Sequence, residues 1–141
     1  MAIYLETSAV LSWLTLESTS DLVESALVSD RDAITSALTF VECDRSLLRL
    51  AAQRKASETD IAGLQRLLAE VSGGWDVLPL DAAILARARE PFPEDSVRAL
   101  DAIHIASALA ARAEVASLAV VTLDERVRRN AEALGFQVLP A

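Results

Sequence analysis

Four acidic residues stand inside or directly after apolar segments, where solubility alone does not explain them. They are Glu6, Glu42, Asp101 and Asp124. An unpaired carboxylate is costly to bury, and several carboxylates brought together repel one another unless a cation joins them. Oxygen ligands of this kind suit Mg²⁺, and Mn²⁺ as a second choice. The pattern therefore predicts a metal site built from carboxylates.

The elements that must position these acids alternate between strand and helix. Apolar runs predict strands at 2–5, 33–36, 75–80, 118–123 and 136–139. Helical periodicity and capping residues predict helices at 7–16, 22–28, 38–56, 61–71, 82–90, 97–113 and 125–134. Such alternation is typical of an α/β fold with a mainly parallel sheet covered by helices on both faces.

Two of the acids follow predicted strands directly. Sites in parallel sheets form at the carboxyl ends of the strands, so Glu6 and Asp124 are expected at one edge. Ser8 and Thr122 lie close by in the chain and could orient a carboxylate or a metal-bound water. Thr7 or Ser8 is expected to cap the first helix.

The other two acids belong to helices. Glu42 is expected in about the first turn of its helix and Asp101 near the start of another, where the helix dipole favours negative charge. Asp101, His104 and Ser107 form a polar stripe at three-residue spacing. We interpret His104 as a hydrogen-bonded partner in helix packing rather than a metal ligand.

Each acid also has a structural alternative. Asp124 could simply cap the last long helix. Glu42 could pair with Arg45 or Arg49 on one helical face. Taken singly, these alternatives are as strong as the functional interpretation or stronger, and the case for a site depends on the joint placement of the acids.

Composition restricts the class of protein. The 141 residues, 52% of them hydrophobic, predict one compact domain at 1–141. The net charge of −8 argues against a broad electrostatic grip on nucleic acid, although it leaves room for a local basic patch. Two arginine clusters are solvated helix faces or phosphate contacts. They comprise Arg45, Arg49 and Arg54, and Arg126, Arg128 and Arg129.

A reducing, cytoplasmic location is expected. Cys43 is the only cysteine, so an intrachain disulfide is impossible, and the residue is expected to fill the core. Glu6 interrupts the apolar start, which does not resemble a signal peptide. No apolar run approaches the roughly 20 residues of a membrane helix, so no membrane association is expected.

Four segments together resemble the motifs of PIN domains. These segments, in chain order, are Tyr4-Leu5-Glu6-Thr7-Ser8-Ala9, then 35–42 ending in Glu42 with Arg45 after it, then 100–108 containing Asp101, and finally Val121-Thr122-Leu123-Asp124 followed by 131–135. The match spans the chain in the expected order. It is most similar to the VapC toxins of toxin–antitoxin pairs.

This resemblance implies a PIN-like three-layer α/β/α sandwich and a Mg²⁺-dependent endoribonuclease. It also implies an RNA substrate, a homodimer and inhibition by a VapB-type antitoxin. Carried over by position, the catalytic and metal-binding residues are Glu6, Glu42, Asp101 and Asp124, supported at the cofactor by Ser8 and Thr122.

One position departs from the family pattern. Glu6 stands where PIN domains usually have Asp, and its extra methylene could move the metal or favour another coordination mode, because Mg²⁺ demands near-ideal octahedral geometry. Full activity, altered metal use and an impaired enzyme that still binds its partner all stay open, and retained metal binding is favoured.

Three other functions remain as alternatives. The chain could be a PIN-like binding module, with Trp13, Leu14, Leu16 and residues 22–28 offering an apolar groove, although these residues could equally fill the core. It could be a PIN nuclease of RNA processing outside any toxin pair. Phosphoryl transfer to an aspartate is disfavoured because Lys55, the only lysine, lies in a polar helix end away from the acids.

Overall fold

A five-stranded parallel sheet forms the centre of the structure, a computed structural model that describes residues 1–16, 20–28, 32–94 and 97–141. The strand order is β3-β2-β1-β4-β5, and every pairing is parallel. The strands are β1 (Ala2–Leu5), β2 (Ala33–Ser36), β3 (Asp76–Leu78), β4 (Leu118–Val121) and β5 (Gln137–Leu139). The first strand therefore lies at the centre, between β2 and β4.

Helices connect the strands. They are α1 (Thr7–Leu14), α2 (Ser20–Val28), α3 (Ala37–Ala52), α4 (Glu58–Ser72), α5 (Ala82–Ala88), α6 (Ala99–Glu114) and α7 (Glu125–Ala133). None of the helices in the described ranges is long and apolar enough to cross a membrane.

The two faces of the sheet are covered by different helices. Ile3 and Leu5 point into a cluster with residues of α1 to α4. Ala2 and Tyr4 alternate to the opposite face and meet residues of α6 and α7. The predicted α/β/α arrangement with a parallel sheet is thus confirmed, and the wholly apolar β1 is explained by burial on both faces.

The predicted end of α3 at residue 56 is wrong, because the helix stops at Ala52. Arg54 adopts a positive φ of 55°, the N–H of Lys55 donates to Leu50 O at 2.9 Å, and the N–H of Arg54 donates to Ala51 O at 3.0 Å. These two bonds form a Schellman motif, which closes the helix.

Other boundaries shift by one to three residues. β3 and β4 are shorter than the predicted strands 75–80 and 118–123. The predicted capping segment at 57–60 is confirmed as a reciprocal pair between Ser57 and Asp60, which lets α4 begin at Glu58 rather than at 61. Leu14 is buried in the core, whereas Leu16 is 82% exposed, so the apolar groove is not supported for Leu14.

Candidate active site

The acids that follow strands meet at the carboxyl edge of the sheet. Glu6 directly follows β1, and Asp124 lies three positions after the last residue of β4. These strands are hydrogen-bonded neighbours with Leu5 opposite Val121. The N–H of Glu6 donates to Val121 O at 3.0 Å. The edge predicted for this pair is therefore the one observed.

Glu6 is buried, at 5% exposure, and its Oε2 is the acceptor for three donors. The backbone N–H of Ser8 lies at 3.1 Å, Thr122 Oγ1 at 2.7 Å, and the Ser8 hydroxyl also donates. Glu6 rather than Thr7 or Ser8 is the N-cap of α1, so the predicted cap is wrong. The Glu6 side chain reaches forward over the first turn to the N–H of Ser8, so neither hydroxyl serves as the cap, and the Thr7 hydroxyl donates to Glu42 instead.

Ser8 and Thr122 join the ends of β1 and β4. Ser8 Oγ accepts the N–H of Leu123 at 2.8 Å, and Thr122 Oγ1 accepts the N–H of Asp124 at 3.1 Å. With Glu6 they form a cluster that we call the Glu6 clamp (Glu6, Ser8 and Thr122), in which Glu6 and Thr122 are buried and Ser8 is half-buried. The structure thus places both predicted supporting residues beside the first acid.

Glu42 lies in the second turn of α3, slightly deeper than expected, because Ser36 caps the helix and starts it at Ala37. Its Oε1 accepts the Thr7 hydroxyl at 2.7 Å and lies 2.5 Å from His104 Nε2. Burial raises the pKa of Glu42, but hydrogen bonds from His104 and Thr7 outweigh burial and lower it overall.

The alternative pairing of Glu42 with arginine is not observed. Within the described ranges, neither Arg45 nor Arg49 forms an ion pair with Glu42, whose partners are Thr7 and His104. The two arginines are exposed and remain available for other contacts.

His104 is the hub that links the first and second acids. It is 2% exposed, and its Nε2 lies 4.0 Å from Glu6 Oε1, on the side where it also meets Glu42. Its Nδ1 lies 2.8 Å from the Tyr4 hydroxyl. The interpretation of His104 as a hydrogen-bonded partner in the packing is confirmed.

Asp101 is in the first turn of α6, as predicted. Its Oδ2 lies 3.5 Å from Nε of Arg98. Asp101 and Glu42, with Arg98, line one cavity of about 360 Å³. Two acids from different helices thus face the same space beside the strand edge.

Asp124 is the N-cap of α7, and its Oδ1 accepts the N–H of Arg126 at 2.9 Å and of Val127 at 3.1 Å. The structural alternative for this acid is therefore confirmed as a capping role. Its backbone is also held by Thr122, so the cap is joined to the Glu6 clamp.

The four carboxylates suit a divalent cation by their donor chemistry. Hydrogen bonds among the described residues engage Glu6 Oε2, Glu42 Oε1, Asp101 Oδ2 and Asp124 Oδ1. The second oxygen of each accepts none of these bonds, and oxygen donors are what Mg²⁺ prefers. No three acidic, histidine or cysteine side chains in the described ranges converge closely enough to hold an ion. A single ion shared by these carboxylates would need their side chains to lie closer together than they do here.

Sequence reasoning missed two residues of this site. In the sequence, Tyr4 looks like one more apolar residue of β1. Only the rule that a buried phenol needs a polar partner could have identified it as part of the site. Arg98 lies next to the cavity by its position at the N-cap of α6, and no local pattern marked it.

The remaining predicted residues are mainly structural. Arg128 donates to the carbonyls of Thr122 and Pro140 at 3.0 and 2.9 Å, and Arg129 pairs with Glu125 at 3.1 Å. Cys43 is fully buried, as predicted. Burial, with the nearby negative charges of Glu42, Asp44 and Glu6, raises the pKa of its thiol to about 12.

Comparison with known proteins assigns the family. The PIN domain family model matches residues 3–133. The chain belongs to the PIN domain family. Ribonuclease VapC35 of Mycobacterium tuberculosis is 36% identical over 140 residues, which cover 97% of this chain and 95% of that protein. PIN nucleases generally use a divalent metal ion.

Solved structures share the PIN fold along nearly the whole chain. FitAcB from Neisseria gonorrhoeae matches with a TM-score of 0.68 and 24% identity, covering 96% of this chain and 95% of that one. VapBC2 from Rickettsia felis, bound to a DNA fragment from its promoter, matches with a TM-score of 0.62 and 11% identity, covering 98% and 97%. At these identities the likeness shows the fold alone.

Proposed function

We propose that this PIN domain protein is a metal-dependent endoribonuclease of the VapC type, the toxin of a toxin–antitoxin pair. One observation carries the proposal: Glu6 and Glu42 approach the same nitrogen of His104, while Glu42 and Asp101 line the same cavity. The acid that follows β1 and the acids of α3 and α6 lie around one histidine and one cavity, which supports a shared site. The identity to a ribonuclease VapC along 97% of the chain supports the same chemistry.

Glu6, Glu42 and Asp101 would hold a divalent ion, Mg²⁺ or Mn²⁺, through the oxygens that accept no hydrogen bond, with Asp124 holding it directly or through water. Bound there, the ion would polarise the RNA phosphate and lower the pKa of an attacking water. Ser8 and Thr122 orient the Glu6 carboxylate, and Thr7 orients Glu42.

A VapB-type antitoxin is the proposed protein partner, and a homodimer is the proposed assembly. The similarity to ribonuclease VapC35 and the shared fold with VapBC2 support this pairing. We further propose that the protein acts in the cytoplasm, where RNA and a co-expressed antitoxin are present.

The decisive test is RNA cleavage by Asp101→Asn. The purified variant should cleave a total RNA pool in Mg²⁺ or Mn²⁺ at least roughly 100-fold more slowly than wild type, because even the partners of metal ligands contribute about 10–100-fold. Asp76→Asn, which changes an exposed aspartate on β3, is the matched control and should cleave at the wild-type rate.

An unchanged rate in Asp101→Asn would remove Asp101 from the chemistry. If the wild-type protein is inactive with either metal but still captures its antitoxin, the binding-module alternative is correct instead.

A further inference from the structure

Arg98 lies at the boundary between two cavities beside the acids of the candidate active site. With Glu42 and Asp101 it lines the cavity of about 360 Å³. It also lines a neighbouring cavity of about 230 Å³, whose wall includes Phe92 and Glu94. An RNA strand that extends from the acids toward the second cavity would therefore pass this cationic side chain.

The Arg98 guanidinium has donors to spare. Its Nε lies 3.5 Å from Asp101 Oδ2, and no other hydrogen bond or ion pair of the described residues engages its two Nη nitrogens. The side chain is 68% exposed, so this ion pair contributes little to stability. The Nη nitrogens are left to bind a phosphate through two parallel hydrogen bonds, a geometry that the planar guanidinium favours.

The position of Arg98 in the chain weakens the fold locally. Arg98 is the N-cap of α6, and its side chain makes no capping hydrogen bond, because a guanidinium has no acceptor. Its charge also lies at the helix end where the macrodipole disfavours a cation. Asn, Asp or Ser would stabilise the start of the helix better. Departures of this kind from local stability are expected at functional positions.

We propose that Arg98 is a substrate-binding residue, whose guanidinium contacts a phosphate of the RNA at the boundary between the two cavities. The ion pair with Asp101 holds the guanidinium beside the acids. This inference rests on the proposed function, because it assigns a contact to its RNA substrate.

Arg98→Asn separates RNA binding from folding. Asn supplies the missing cap, so the variant should unfold at a higher urea concentration than wild type. In the Asp101→Asn background, which prevents cleavage, Arg98→Asn should weaken the binding of a short, fluorescently labelled single-stranded RNA in Mg²⁺ by at least roughly 10-fold. The slope of log K against log salt should become shallower by about 0.7, for one lost phosphate contact.

Two variants in the same Asp101→Asn background serve as controls. Arg66→Gln removes the same charge from an exposed position of α4, a helix on the opposite face of the sheet from α6, and should leave affinity and slope nearly unchanged. Arg98→Lys keeps the charge without the planar fork, so it should keep the salt slope and restore only part of the affinity.

Three results would overturn the proposal. The first is equal RNA affinity with and without Arg98→Asn, weak binding by both proteins included. The second is an equal loss of affinity in Arg66→Gln, which would assign the effect to overall charge. The third is a lower urea midpoint in Arg98→Asn, which would show that Arg98 has a structural role.

The two proposals fail separately. If the wild-type protein cleaves no RNA with either metal but Arg98→Asn still weakens RNA binding, the proposed function fails and the phosphate contact of Arg98 stands. If cleavage depends on Asp101 while Arg98→Asn leaves RNA affinity unchanged, the role of Arg98 alone fails.

Discussion

At the scale of single residues, the Glu6 carboxylate both caps α1 and binds the neighbouring strand end. Its Oε2 caps α1 through the N–H of Ser8 and also accepts the Thr122 hydroxyl from the neighbouring strand. The extra methylene relative to the usual Asp thus lets the carboxylate reach the Thr122 hydroxyl in the Glu6 clamp. Glu6 Oε1 accepts no hydrogen bond from the described residues and lies 4.0 Å from His104 Nε2, so it remains available as a metal ligand.

Glu6→Asp should keep the cap, because Asp is a preferred N-cap residue, but should lose reach to Thr122. The Thr122 hydroxyl should then lose its carboxylate acceptor, although it still accepts the N–H of Asp124. This loss should lower the free energy of unfolding by about 1–3 kcal/mol. Urea denaturation of a double-mutant cycle with Thr122→Val measures this contact. The two substitutions should show a coupling of about 1 kcal/mol, whereas simple additivity would mean that the clamp does not link the two residues energetically.

The acids of the site could be predicted from sequence because each is charged within an apolar frame. The hydrogen bonds of Tyr4 and Thr7 could not, because they join residues 100 and 97 positions from His104. Nothing local to β1 indicates that a histidine of α6 will lie against it. Residue type was enough to predict the acids, whereas the groups that orient them could be identified only from the tertiary structure.

At the scale of elements, Asp124 is both the proposed site residue and the cap of α7. Asn is as good an N-cap as Asp but lacks the charge. Asp124→Asn should therefore retain the wild-type stability within a few tenths of a kcal/mol, whereas Asp124→Ala should lose about 0.5–2 kcal/mol. Urea denaturation checks both values.

The same pair of variants separates the two roles of Asp124 in an RNA cleavage assay. Reduced cleavage by the stable Asp124→Asn protein would show that the charge takes part in the reaction. Cleavage at the wild-type rate would leave capping as its contribution.

Helix starts were more predictable than helix ends. Ser57 and Asp81 carry the side chains that cap α4 and α5, and both could be identified in the sequence. The end of α3 could not, because its left-handed residue is Arg54 rather than the glycine that usually marks this position. An arginine at this position gives no local signal that the helix ends there.

At the scale of the whole molecule, a net charge of −8 opposes the approach of RNA, so any grip on phosphate must be local. Arg45 and Arg49 lie three and seven positions after Glu42, on its face of α3. Both are exposed, and no ion pair of the described residues includes them. They are candidates for phosphate contacts on the face of α3 that carries Glu42, in addition to Arg98, which lines the cavity with Glu42 and Asp101.

Replacing both Arg45 and Arg49 by Gln, in the Asp101→Asn background that prevents cleavage, should weaken RNA binding. The salt dependence, as the slope of log K against log salt, should become shallower by roughly 1.4, at about 0.7 for each lost contact with a single strand. Fluorescence anisotropy at several salt concentrations measures the slope.

The control makes the same change in net charge elsewhere, by replacing exposed Arg66 and Arg89. If that control lowers affinity and slope equally, the effect comes from overall charge and not from the α3 face.

The central position of β1 has a consequence for how the protein is made. The strand leaves the ribosome first, yet its neighbour β4 is synthesised near the end, and Glu6 and Thr122 are 116 positions apart. Until β4 emerges, β1 keeps an open edge and the Glu6 clamp cannot close. The nascent chain therefore cannot join the ends of β1 and β4 through these side chains until Thr122 has been synthesised.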